Sequence, residues 1–167
     1  MSNSQNLDRY LTELTAPSSI RLNISEVQRL LSFLKKNGSP NLSTIRHRGW
    51  TVATLDDKAL FDDDAKNIGR AFAAGGATEF LVTRVDELIA ATDVVAAYAF
   101  PSTLEGVEQF QSGPWLELNL EDCILFSTHI AGFVFRPGEV DTTYAVGPEL
   151  FVLRVSAAPG WKHHDYL

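Results

Sequence analysis

Apolar residues recur at helical spacing through much of the first half of the chain. Leu7, Tyr10, Leu11 and Leu14 predict a short helix over residues 6–15, ended by Ala16, Pro17 and two serines. The stretch EVQRLLSFLKK repeats the pattern more strongly, with Val27, Leu30, Leu31 and Leu34 on one stripe, Ser25 placed to cap it and Asn37 and Gly38 to end it. Lys35 and Lys36 sit where cations favour a helix carboxyl end. A third helix is expected over about 57–73, because Phe61, Ala65, Ile68 and Phe72 are spaced by four, three and four residues.

Shorter apolar runs bounded by turn residues predict strands at 50–55, 78–85 and 93–100. VDELIAA reads as a short helix or turn. Ser102 and Glu105 have capping-box spacing ahead of Leu104, Val107 and Phe110, although Gly106 weakens that helix. Period two then takes over. WLELNL alternates Trp115, Glu117 and Asn119 against three leucines, so one face of a strand is expected wet and the other packed; Trp115 then either shares the outer sheet face with Glu117 or is buried beneath one of the helices. CILFSTHIAGFVFRPG reads as a hairpin, with strands at 123–127 and 133–136 and a turn near His129 to Gly132; ELFVLRVSA adds a strand over 150–155. The expected fold is α+β, with helices packed against a mostly antiparallel or mixed sheet in a single globular domain spanning 1–167 with short flexible termini.

A hydrophobic fraction of 45% in 167 residues supports one sizeable core. No apolar run approaches the roughly 20 residues that cross a bilayer, and the first residues lack a signal-peptide pattern, so the expected location is cytoplasmic. A lone cysteine, Cys123, excludes an internal disulfide and a thiolate-rich metal site.

The net charge of -7 is unevenly distributed: residues 1–55 carry seven Lys and Arg against three acids, and residues 56–167 carry seven against eighteen. That balance disfavours direct nucleic-acid and anionic-membrane binding and favours a basic protein partner. Arg46, His47 and Arg48 form a small basic knot, too few cations for nucleic-acid recognition. The most concentrated acids are Asp56, Asp57, Asp62, Asp63 and Asp64. On a helix turning about 100° per residue the last three fan across roughly 200°, so they do not converge on one ion. They suit the positive end of a helix, an i to i+4 pairing of Asp62 with Lys66, or a charged face offered to a partner.

Catalytic and cofactor patterns are absent from the sequence. Cys123 lies in an apolar run beside Glu121 and Asp122, which oppose a thiolate, and His129 is its only nearby base. Asp122, Ser127 and His129 do not form a nucleophile-elbow motif, and the four histidines have no zinc-binding spacing. His163, His164 and Asp165 are expected in a flexible tail. AAGGATEF follows a helix and lacks the lysine of a phosphate loop. No catalytic residue, metal ligand or cofactor is therefore assigned. The expected function is that of an acidic protein-binding module, of which an immunity protein neutralising a toxic nuclease is one form, with Asp56, Asp57, Asp62, Asp63, Asp64, Trp115 and Glu117 as partner contacts. The alternatives are a small cytoplasmic hydrolase with an unrecognised pocket and a structural or oligomeric module.

Overall fold

The computed structural model describes residues 19–57, 59–92 and 94–164, without the side chains of residues 113, 114, 117 and 119. The helix expected over 6–15 lies outside the described residues. Among those described, β1 (Ser19–Leu22) leads into α1 (Ile24–Leu31), α2 (Leu42–His47), β2 (Thr51–Leu55), α3 (Asp63–Ala74), β3 (Glu79–Arg84) and α4 (Val85–Ala90). β4 (Val95–Pro101), α5 (Leu104–Phe110), a 3-10 segment (Gly113–Leu120), β5 (Cys123–Phe126), β6 (Phe133–Arg136), β7 (Thr143–Gly147), α6 (Glu149–Val155) and β8 (Trp161–His164) follow.

The eight strands form one sheet in the order β1-β4-β3-β5-β6-β7-β2-β8, and every pairing is antiparallel. The fold is α+β. Helices cover both faces, so the central strands are buried on both sides and their sequences read as continuous apolar runs. α3 packs between α5 and α6 on one face, over Phe80, Phe100, Leu125 and Val134. On the other face α1, α2 and α4 contribute Val27, Leu30, Ile45, Val85 and Leu88 to a second cluster around Leu81, Ile124, Phe126 and Phe135.

Several sequence expectations shift for local reasons. Asn23, not Ser25, caps α1: its side chain accepts from Glu26 N–H at 2.9 Å and the Glu26 carboxylate accepts from Asn23 N–H, a complete capping box. WLELNL is a 3-10 segment and not a strand. Trp115 and Leu118, three residues apart, turn inward while Leu116 and Leu120 face solvent, the period of a 3-10 turn. The strand expected over 150–155 is helix α6, which buries Phe151, Val152 and Val155 and exposes Leu150, Leu153 and Arg154. Its apolar run is too short for periodicity to separate the two states. His163 and His164 lie in β8 and not in a loose tail; His164 Nε2 is 2.8 Å from Thr54 Oγ1.

Gly106 is explained by close approach. A Cβ there would lie 1.9 Å from the Pro101 carbonyl oxygen, so only glycine lets α5 seat against the end of β4. Gly106→Ala is expected to lower unfolding stability by about 3 kcal/mol, whereas Gly75→Ala, where the added carbon meets nothing nearer than 3.5 Å, stays within about 0.5 kcal/mol. Urea unfolding midpoints at constant slope measure both.

Candidate functional site

The aspartates singled out in the sequence do not act as one set. Asp56 is exposed and pairs with Lys162 at 3.3 Å. Asp57 is exposed and turns its carboxylate onto Ala59 N–H at 2.9 Å. Its carbonyl accepts from the buried Thr143 hydroxyl at 2.9 Å, fixing the loop to the sheet. Asp64 is half-buried and accepts from Trp161 Nε1–H at 2.9 Å, a contact between α3 and β8. Asp62 and Asp63 are exposed, and Asp62 meets Lys66 through the backbone, Lys66 N–H donating to its carbonyl at 2.9 Å.

Asp62 also carries an unusual backbone, with φ 50° and ψ -115°, a region that glycine occupies freely and other residues rarely. This turn delays the helix until Asp63 and leaves Phe61 60% exposed, where the sequence stripe had placed it in the core. Trp115 is corrected as a partner contact. It is 3% exposed and packs its ring against Tyr98 and Phe100, each at a centroid distance of 5.2 Å. Glu117 shares its segment, and its side chain is outside the described part of the structure.

The hydrolytic constellation is not assembled. Cys123 is buried at one end of β5, paired with Arg136, whereas His129 and Ser127 lie in the turn at the other end. At about 3.3 Å per residue the strand separates them by roughly 10 Å, and Asp122 is at the Cys123 end. Among the described residues no group of His, Cys, Asp or Glu converges as a metal site. No helix there is long and apolar enough to cross a membrane. The basic knot is partly structural: the Arg48 guanidinium lies 5.2 Å from the Phe33 ring centroid and 5.1 Å from that of Trp50.

Across β3, β5 and β6, the antiparallel register aligns Arg84, Cys123 and Arg136 in one row on one face. Both arginines are only 2% exposed. Arg136 donates to Gln111 Oε1 at 3.2 Å and lies over the Phe110 ring; burial lowers its pKa, and the nearby Cys123 and Asp57 act in the opposite direction. Gln111 in turn accepts from Leu60 N–H at 2.8 Å and donates to Leu60 carbonyl oxygen at 2.5 Å, anchoring the segment before α3. Arg84 forms a close ion pair with Glu87 of α4 and a second, at 3.7 Å, with Glu121.

Immediately beyond that row the chain opens a cleft of about 530 Å³. Val85, Asp122 and Pro137, each the chain neighbour of a row residue, start its walls. One wall is α4, with Asp86 and Ile89; the second is Leu120 to Asp122; the third is Pro137 to Val140. Buried Val85 forms the floor, and Ile89, Leu120 and Val140 stand 44%, 67% and 55% exposed around it. Asp86, Glu121, Asp122 and Glu139 supply four carboxylates, and none of the described lining residues is cationic.

These walls are tied together from beneath. Arg84 links Glu87 on the first wall to Glu121 on the second. Val85 N–H donates to the Asp122 carbonyl at 2.9 Å, and Gly138 N–H donates to Asp122 Oδ1 at 2.5 Å, joining the second wall to the first and the third. A Cβ at Gly138 would stand 2.6 Å from the Leu120 carbonyl oxygen, so the third wall's close approach requires glycine. Glu121 is thus paired with Arg84, whereas Asp86, Asp122 and Glu139 are exposed acids that no described Lys or Arg pairs; Asp86 Oδ1 accepts from Glu87 N–H at 2.8 Å as Asp122 Oδ1 does from Gly138 N–H. The sequence carries a trace of this site in RVDE, LEDC and RPGE, acids just beyond strand ends, but only the β3-β5-β6 register brings them together.

Comparison with protein-family models, curated proteins and solved structures finds no match to this chain. The residues themselves must carry the functional reading.

Two substitutions separate fold from surface at the aspartate segment. Asp64→Ala is expected to cost about 2 kcal/mol by removing the charged acceptor of Trp161. Asp62→Gly is expected to raise stability by about 1 kcal/mol, relief of the strained turn exceeding the entropy added to the unfolded chain. Equilibrium denaturation distinguishes the opposite signs.

Proposed function

We propose that this protein is an acidic binding module that engages a basic surface on another protein, with no catalytic step of its own. The observation that carries the reading is the tied cleft, in which carboxylates ring an apolar floor and no described lining residue is a cation. Apolar surface supplies affinity when a partner desolvates it, and the surrounding charges select the partner's sign and orientation. Asp62 and Asp63, exposed on a separate stretch, and the net charge of -7 add a longer-range attraction that accelerates encounter.

A basic nuclease is a partner of matching chemistry, because the surface that binds nucleic-acid phosphates is cationic. A module occupying that surface would block substrate access, which is the immunity-protein form of the proposal. A hydrolase, the alternative reading, would need a nucleophile and a base brought together elsewhere, since Cys123 and His129 lie at opposite ends of β5.

The test is affinity capture from the source cell with the full chain as bait, beside an Asp86→Asn/Glu139→Gln double variant. The proposal expects a stoichiometric basic protein that is retained at low salt by the wild type. The double variant should bind it about tenfold more weakly, with a shallower salt dependence of association. An acidic partner, or equal retention of the basic one by both baits, would contradict it.

A further inference from the structure

We infer that the cleft at the end of β3, β5 and β6 is the docking site for one segment of a basic protein, in which an aliphatic residue is bracketed by Lys or Arg. The inference rests on the binding-module reading and specifies the partner's recognised element. Three features of the cleft lead to it.

The apolar contribution comes first. Ile89, Leu120 and Val140 are large, exposed and gathered around one buried floor residue, Val85. Surface hydrophobes scattered singly are ordinary, whereas these line a shared concavity whose volume falls in the range of ligand-receiving pockets, about 300–1,000 Å³. An aliphatic side chain placed among Ile89, Leu120 and Val140 would remove apolar area on both partners from water.

The position of the charges then sets what flanks that side chain. Glu121 is committed to Arg84, and Asp122 to Gly138. Asp86, whose Oδ1 likewise accepts a backbone N–H, from Glu87 at 2.8 Å, and Glu139 are the acids of the other two walls, α4 and the segment that follows β6. A cation on each side of the aliphatic residue satisfies both, and an acidic segment would be repelled.

Preorganisation is the third feature. The ties made by Arg84 and by Asp122 hold the walls in the unbound chain, so docking needs little ordering of the cleft. The protruding Leu120 and Val140 favour a protein segment over a small polycation, which would leave those side chains in water.

The probe is a synthetic Lys-Leu-Arg-Val-Lys peptide titrated into the full chain and followed by backbone amide NMR shifts. Binding should perturb Asp86, Ile89, Glu139 and Val140 together. Replacing both aliphatic residues of the peptide by serine should weaken it about tenfold, the effect of losing one buried aliphatic contact. Val140→Ser in the protein should do the same, and its unfolding midpoint should match the wild type because the side chain is exposed. Equal affinity of the serine peptide would overturn the inference, as would full competition by spermidine at the same concentration. Concentration-dependent self-association that buries the cleft would assign it to a second copy and also overturn it. Shifts confined to Asp56–Asp63 would reject the cleft but leave the binding-module reading intact; absence of any binding, together with failure of the capture experiment, would remove both.

Discussion

Burying a guanidinium is costly unless carboxylates and hydrogen bonds replace its water, and Arg84 is placed at the point where that requirement shapes the molecule. It ends β3, is 2% exposed, and reaches Glu87 in the following helix and Glu121 at the approach to β5. An arginine suits this position better than a lysine because its planar, delocalised fork addresses two carboxylates from one buried stem. The pairings fix α4 and the 120–122 segment relative to the strand end. Asp122 extends the arrangement to the residues after β6 through Gly138. Cleft and fold are thus continuous: the network that compensates the buried charge also holds the cleft walls.

The same end of the sheet explains the character of Cys123. Its register partners are Arg84 and Arg136, its side chain is wholly buried, and the nearest histidine in sequence is at the far end of the hairpin. It packs in the cluster with Leu125 and Phe80. Arg136 plays a related structural role on the other side of the row, where Gln111 shares its oxygen between that guanidinium and the backbone of Leu60. Two buried arginines in one row therefore organise neighbouring loops in different ways, one toward the cleft and one toward the start of α3.

Local pattern made the helices α1 and α3, the strands β2 to β4 and the β5–β6 hairpin legible in the sequence, because each carries its own periodicity or turn residues, although α1 ends at Leu31, short of the expected ending at Lys35 and Lys36. It failed where a segment is too short to display a period, as in α6, or where Pro114 starts a 3-10 turn whose three-residue spacing mimics alternation over WLELNL. Phe61 was misplaced because the strained turn at Asp62 interrupts an otherwise regular stripe, and nothing in residue spacing signals that φ. The acidity of the chain was legible as charge, but the position of the acid-lined cleft was not. Asp86, Asp122 and Glu139 are 36 and 17 residues apart in sequence, and antiparallel pairing alone makes them neighbours of one cleft.

The central claim is that the cleft is already built in the unbound protein, its walls joined through Asp122 and Arg84. Native-state amide hydrogen exchange at Val85 and Gly138 tests this most directly, since both N–H groups donate to Asp122. The account predicts protection at both amides comparable to that of Leu125 in the central strand β5. Exchange at Val85 and Gly138 as fast as at an exposed loop amide such as Thr128, with Leu125 still protected, would contradict it: the three walls would then be independent segments and the cleft would form only on binding.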